Sequence, residues 1–214
     1  TTVFGVMVSA IYALLHRYTG EEDLVIGSTV SRRDHPALED QIGCYIDTIV
    51  LRGRAAAGDT AAALVGRTAR VCREAIAHRD YPFDALIDDL RAPAVEGRPP
   101  LFDVLVDFVP GARAMTGVAY QAGLAMTERL RASEAAHYDT MFLIEEDADD
   151  ARLAVRLVLP AARYSDATAA RAADRLLTIL QWLTAGDGSP LGRVELLPDR
   201  APAARRLQVS LNTD

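Results

Sequence analysis

The sequence contains no lysine; all 23 of its basic residues are arginine, against 30 acidic ones. That bias fits GC-rich coding and says nothing by itself about function. The resulting net charge of -7 argues against a nucleic-acid surface, which needs a basic face. Cysteine is scarce, with only Cys44 and Cys72. Neither sits in a C-x-x-C or zinc-type spacing, so no disulfide framework or metal site is implied. Cys72 falls on an apolar helical stripe, where a buried thiol is expected. A reducing cytoplasmic compartment fits this usage. No signal-peptide pattern and no low-complexity tract is seen in the 214 residues. The longest apolar stretch, Val3 to Leu15, is too short to span a bilayer, so no membrane partner is expected.

What is present is an ordinary globular profile, half apolar and a quarter charged, over a length of 214 residues that can bury one sizeable core. The chain begins at Thr1 directly in a helical pattern, and residues 198–214 turn polar and lose periodicity. One domain over residues 1–197 is expected, followed by a linker over 198–214, as in a piece of something longer.

Periodicity gives the elements. Val3 to Leu15 is apolar on nearly every face, as a helix buried on all sides would be, with Gly20 as its stop. Leu24 to Val30 reads as a strand and Ser31 to Gln41 as a loop. Cys44 to Arg52 alternates, with Tyr45, Asp47, Ile49 and Leu51 on one face and Cys44, Ile46, Thr48 and Val50 on the other. Asp59 is the expected N-cap of a long helix with Leu64, Thr68, Val71 and Ala75 inside. Pro82 biases Tyr81 away from helix, so His78 to Phe83 is a break, followed by a short helix Phe83 to Leu90. A loop Ala92 to Pro100 leads to a strand Phe102 to Val109; residues 117–130 read as one strand or two. His137 to Glu145 alternates with Tyr138, Thr140, Phe142 and Ile144 together. Arg152 to Val158 alternates more strictly, and the two form a hairpin around an acidic turn, with one wet face. Asp166 is the expected cap of a last helix whose inner face carries Ala170, Leu176, Leu177, Leu180 and Leu183. Helices interleaved with strands imply a mixed α/β sandwich.

Simple catalytic signatures are missing. There is no G-x-S-x-G, Walker loop or Rossmann glycine fingerprint, and none of His16, His35, His78 and His137 lies within four residues of another. Asp47 is conspicuous because it lies on an apolar strand face, where an ionised carboxylate is costly unless paired or facing a polar cavity. Two readings stay open: an ion pair with Arg32, Arg33 or Arg52, or a position lining a polar channel. Asp107 poses the same question on its strand. The run His78-Arg79-Asp80-Tyr81-Pro82-Phe83-Asp84 reads on geometry as a capped turn, with Asp80 and Asp84 accepting from the next helix.

Gly27 to Arg33, Ile42 to Arg52, His78 to Asp84, Arg98 to Phe102 and His137 to Asp139, taken together and in this order, resemble the condensation domains of non-ribosomal peptide synthetases. Ile42-Gly43-Cys44-Tyr45-Ile46-Asp47-Thr48-Ile49-Val50-Leu51-Arg52 resembles the family's I/V-G-x-F-V-N-T-x-x-x-R motif, and HRDYPFD at His78 to Asp84 resembles H-Q-D-Y-P-F-E. Arg98-Pro99-Pro100-Leu101-Phe102 is similar to a motif ending R-N-P-L-F, and Gly27 to Arg33 to G-T-P-V-x-x-R. His137-Tyr138-Asp139 stands where K-F-D-L is usual, and Asn212-Thr213 resembles the start of a linker to an adenylation domain. Asp47 replaces the usual asparagine, Arg79 a glutamine and Pro99 an asparagine. The family's catalytic H-H-x-x-x-D-G has no counterpart in these 214 residues.

The resemblance implies a chloramphenicol-acetyltransferase-like α/β lobe, the C-terminal half of a domain that joins a donor acyl or peptidyl thioester to an acceptor amine. It implies no directly bound cofactor; phosphopantetheine arms of carrier proteins bring the substrates. The implied partners are the N-terminal lobe, donor and acceptor carrier proteins and a downstream adenylation domain. Asp47 and Ser28 are expected near the substrate tunnel, with Tyr45 and Thr48 shaping it. His78, Asp80, Tyr81, Pro82, Phe83 and Arg98 are expected to hold the lobe together, and no residue is expected to act as catalytic acid, base or nucleophile. A non-catalytic recruiting domain is the alternative, and an epimerisation or heterocyclisation relative a further one, against which the segment IGCYIDTIVLR argues. The first helix and the Asp47 strand are expected to expose apolar area meant for a partner.

Overall fold

Helix α1, Val3–Thr19, starts where the Thr2 hydroxyl accepts the Gly5 N–H at 3.1 Å and stops at Gly20, which takes the left-handed φ of 77° that glycine tolerates. The chain is described from a computed structural model that covers residues 1–38, 40–93, 98–112, 119–121, 124–126, 138–147, 153–196 and 208–212. Ten residues of α1 are buried, as its all-round apolarity requires. Its own neighbours cover it: α2 (Ala61–Ala77) and α4 (Asp166–Ala185) pack against it. The expectation that α1 exposes an apolar seam is therefore corrected.

Among the described residues six strands form one mixed sheet. They are β1 (Asp23–Ser31), β2 (Ile46–Arg54), β3 (Val104–Ala112), β6 (Thr140–Asp147), β7 (Leu153–Pro160) and β8 (Gln208–Asn212), in the spatial order β2-β1-β3-β6-β7-β8. The β1–β2 and β6–β7 pairs are antiparallel; β1–β3, β3–β6 and β7–β8 are parallel. A separate two-stranded ribbon, β4 (Ala119–Gln121) with β5 (Leu124–Met126), resolves the ambiguous 117–130 stretch into two strands. β8 falls in the stretch expected to be a linker.

Strand periodicity assigns the faces. Ile49, Ser28, Val106, Phe142 and Leu157 are in register across five strands, and all five are buried. This is the face beneath the helices: an added Cβ at Gly53, two residues beyond Leu51, would come within 2.4 Å of the Tyr12 ring of α1. The Tyr12 hydroxyl donates to the Leu51 carbonyl at 3.0 Å. The opposite face carries Gly27, Thr29, Leu105 and Asp107. There Phe102 lies over Gly27, leaving only 2.2 Å for a Cβ. The result is the expected two-layer α/β sandwich.

Several boundaries move for identifiable reasons. The second strand runs Ile46–Arg54 rather than Cys44–Arg52, because Arg52 and Arg54 pair with Asp23 and Glu22 and extend the β1 ladder. Thr60, not Asp59, caps α2: its hydroxyl accepts the Ala63 N–H, while Asp59 accepts the Ala56 N–H at 2.7 Å and pairs with Arg67. Ser165, not Asp166, caps α4. Its buried face is Ala169, Ala173, Leu176, Ile179 and Trp182, whereas Ala170 is exposed. The third strand begins at Val104 because Leu101 has φ 73°, which turns the chain out of extended geometry. Tyr138, expected beside Phe142, precedes β6 and stacks on Phe102 with centroids 5.9 Å apart. His137 and part of the acidic turn lie outside the described residues. The β6–β7 pair has its buried face on the helix side; on the other, Met141, Leu143, Glu145 and Arg156 are half-buried rather than wet.

Candidate functional site

Three of the segments expected to carry function, those of Arg32, Asp47 and Asp80, meet where β1 ends and β2 begins. Arg32, just past β1, is the centre of this region. Its Nη1 lies 2.9 Å from Asp80 Oδ1, donates to the Arg79 carbonyl at 2.9 Å and stands 3.9 Å from Asp47 Oδ2. Arg79 in turn pairs with Asp34 at 2.6 Å. Of the three arginines considered for Asp47, Arg32 is thus the one within reach. Arg52 is committed to Asp23, and Arg33 to the Leu38 and Gln41 carbonyls and the face of the Tyr45 ring, 4.4 Å away. Asp47 Oδ1 also accepts the Thr48 N–H at 2.7 Å, so both carboxylate oxygens have a positive or donating neighbour.

The four expected tunnel residues do not share one face. Asp47 lies on the Ile49 side of β2 and is half-exposed. Ser28 also lies on the helix side, is fully buried, and its hydroxyl finds only a 3.5 Å contact with the Thr29 carbonyl. Thr48 points to the opposite face, paired in register with Thr29. Tyr45 precedes the strand, with its hydroxyl donating to Gln41 Oε1 at 2.8 Å. On that opposite face the Thr29 hydroxyl donates to Asp107 Oδ1. This settles the partner of Asp107, which sequence reasoning left open. Arg32 and Thr29 were missed as site residues, although both lie inside the Gly27–Arg33 motif; no one-dimensional pattern shows that β1 brings them to Asp47, Asp80 and Asp107.

The HRDYPFD turn is tied down at several points. His78 ends α2 and is exposed. Asp80 binds Arg32, and the Tyr81 hydroxyl donates to Asp89. Pro82 occupies the cap position of α3 (Phe83–Leu90) without any side-chain capping bond, which corrects the expectation that Asp80 and Asp84 cap this helix. Phe83 meets Phe102, centroids 5.7 Å apart. Arg98 pairs with Asp103 at 2.6 Å and reaches Asp139 at 3.6 Å, where Arg163 also binds. Phe102, Tyr138 and Phe83 are thereby fastened over the Gly27 end of the sheet by charged groups from three segments.

Among the described residues no histidine is hydrogen-bonded to a carboxylate, hydroxyl or thiol: His16 Nδ1 bonds the Glu21 carbonyl, and His35 Nδ1 accepts the Ala37 N–H. No group of three metal-ligating side chains is found among them, and no helix is long and apolar enough to cross a membrane. The β1–β2 end therefore offers paired carboxylates, hydroxyls and a guanidinium hub, suited to lining and positioning.

The Gly27–Arg33, Asp47 and HRDYPFD segments meet at the end of β1, and the Arg98–Phe102 and Tyr138–Asp139 segments at the starts of β3 and β6. The mixed sheet under a helical layer is that of an acyltransferase-like fold. The condensation-domain family model matches residues 1–204, and the chain belongs to that family. It is 26% identical over 204 residues to surfactin synthase subunit 1 of Bacillus subtilis (strain 168), covering 95% of this chain and 6% of that protein. It is 30% identical over 199 residues to a chondramide synthase of Chondromyces crocatus, covering 92% and 5%. Among solved structures, the complex of the X-domain and OxyB from teicoplanin biosynthesis matches with a TM-score of 0.78 and 26% identity, over 94% of this chain and 44% of that one. The starter condensation domain of rhizomide synthetase shares the fold, with a TM-score of 0.73 and 24% identity over 91% and 43%. The chain thus spans under half of the solved domains it matches and about a twentieth of the curated synthetases.

Proposed function

We propose that this chain is the second lobe of a condensation domain that makes an amide from a carrier-bound acyl or peptidyl thioester and a carrier-bound amine, in the cytoplasm, beside carrier and adenylation domains. The observation that carries the reading is the family match over residues 1–204 in a sequence without H-H-x-x-x-D-G. The proton-handling histidine then belongs to the other lobe. This one contributes a wall around the exposed start of β2, where Asp47 and, on the opposite face, Thr48 flank the entry that Tyr45 precedes, and Ser28 supports the Asp47 side from within. Holding two tethered reactants together raises their effective concentration, which supplies much of the rate. Phosphopantetheine arms enter as tethered substrates, and no cofactor is bound by the lobe itself.

The test is amide formation from loaded donor and acceptor carriers. Product is expected when the lobe is joined to one bearing H-H-x-x-x-D-G, and none from the 214 residues alone; amide made by the chain alone overturns the reading. A second reading, a non-catalytic domain that recruits a tailoring enzyme, is favoured by the likeness to an X-domain solved in complex with OxyB. It predicts a degraded histidine motif in the first lobe and stable capture of an oxygenase.

A further inference from the structure

Three guanidinium groups line one open cleft on the helical side of the molecule, remote in sequence from every motif above. Arg17 and the adjoining Tyr18 come from the end of α1, Arg175 from the middle of α4, and Arg193 from the segment after α4; the cleft measures about 520 Å³. Two of the arginines are held by backbone. Arg17 Nη1 donates to the Leu191 carbonyl at 2.7 Å, and Arg175 Nε to the Leu196 carbonyl at 3.3 Å, while the Arg175 guanidinium lies 5.0 Å over the Tyr18 ring. Each of those bonds uses one N–H of a five-donor fork and brings no negative charge. Among the described residues none of the three forms an ion pair, although eight of the thirteen other described arginines do. Among the described lining residues Glu195 is the one carboxylate, which leaves a surplus of two positive charges there.

We propose that this cleft is a binding site for a phosphate monoester dianion. A lone carboxylate is satisfied by one bidentate arginine, whereas a tetrahedral dianion uses several forks at once. The surplus of two matches its charge. The volume lies in the range of small-molecule sites and exceeds what a bare phosphate fills. Tyr18, Val194 and Leu196 give the organic part of an ester an apolar wall.

The test is calorimetric titration of the full chain with inorganic phosphate, glycerol 3-phosphate and AMP, at low salt because exposed charges are screened otherwise. Saturable binding of at least one monoester, tighter than inorganic phosphate, is expected. Arg193→Gln should weaken it about tenfold or more. Arg193 is exposed and its side chain makes no hydrogen bond among the described residues; its backbone N–H bond to the Pro190 carbonyl survives the change, so this variant leaves the fold intact. Arg17→Gln serves as a second variant. Arg73→Gln, on the exposed side of α2, should bind as the parent does. No saturation below about 10 mM would overturn the proposal. So would binding unchanged in Arg193→Gln and Arg17→Gln, or inorganic phosphate binding as tightly as the esters.

Discussion

Two glycines mark where this structure has no room for a side chain. At Gly27 an added Cβ falls 2.2 Å from the Phe102 ring, itself clamped between Phe83 and Tyr138. Gly27→Ala should therefore lower stability by about 1–3 kcal/mol, read as a fall in the urea midpoint at unchanged slope. An unaltered midpoint would mean that Phe102 swings away freely. Burial acts on chemistry as well as on volume. It pushes the Cys72 thiol up to about 11 and raises the Tyr12 phenol in the same direction. The folded state then holds these protons more tightly than the unfolded chain does. Stability is unaffected below the ordinary thiol range and is lost as pH climbs from about 9 toward 11. Iodoacetamide near neutral pH should label exposed Cys44 and spare Cys72, with Cys72 labelling appearing together with alkaline loss of structure by circular dichroism. The buried position of Cys72 was legible from its stripe on α2, whereas the collision at Gly27 was not, because it depends on a residue 75 positions away in sequence folding back over β1.

Elements were readable wherever one signal dominated. α1 announced itself by apolarity on every side, and α3 by the proline that precedes it. The helix caps were harder. Asp59-Thr60 and Ser165-Asp166 each offer two capping side chains in a row, and the choice depends on the turn before the helix: Asp59 is engaged by Ala56 and Arg67. The buried face of α4 was misjudged for a related reason. Leu176, Leu177, Ile179, Leu180 and Leu183 support two neighbouring stripes, and the one that is buried is the one that carries the small Ala169 and Ala173. α2 carries one avoidable cost. Gly66 lies in its interior, and an added Cβ there meets nothing within 4 Å. Gly66→Ala should stabilise the protein by about 0.5–1 kcal/mol, raising the thermal midpoint. A lowered midpoint would reveal an unsuspected neighbour.

For the whole molecule, the order of motifs identified the family, but the joining of three of them was a three-dimensional fact. Arg32 shows this: a residue read only as part of a G-T-P-V-x-x-R-like string joins β1 to Asp47 and to the HRDYPFD turn. Arg32→Ala should leave the core transition nearly unchanged, since these pairs are partly exposed and each contributes about 1 kcal/mol or less. It should nevertheless speed amide hydrogen exchange across residues 78–83. Exchange equal to that of the parent would show that Phe83 alone holds the turn. A last consequence follows from the segment after α4. The Leu191 N–H bonds the Asp59 carbonyl, the Gly192 N–H bonds the Ala57 carbonyl, and Arg17 grips Leu191 from 174 positions upstream. The turn after α4 is thereby tied to α1 and to the loop before α2, so fraying of the last helix from its C-terminal end is resisted by two elements far from it in sequence.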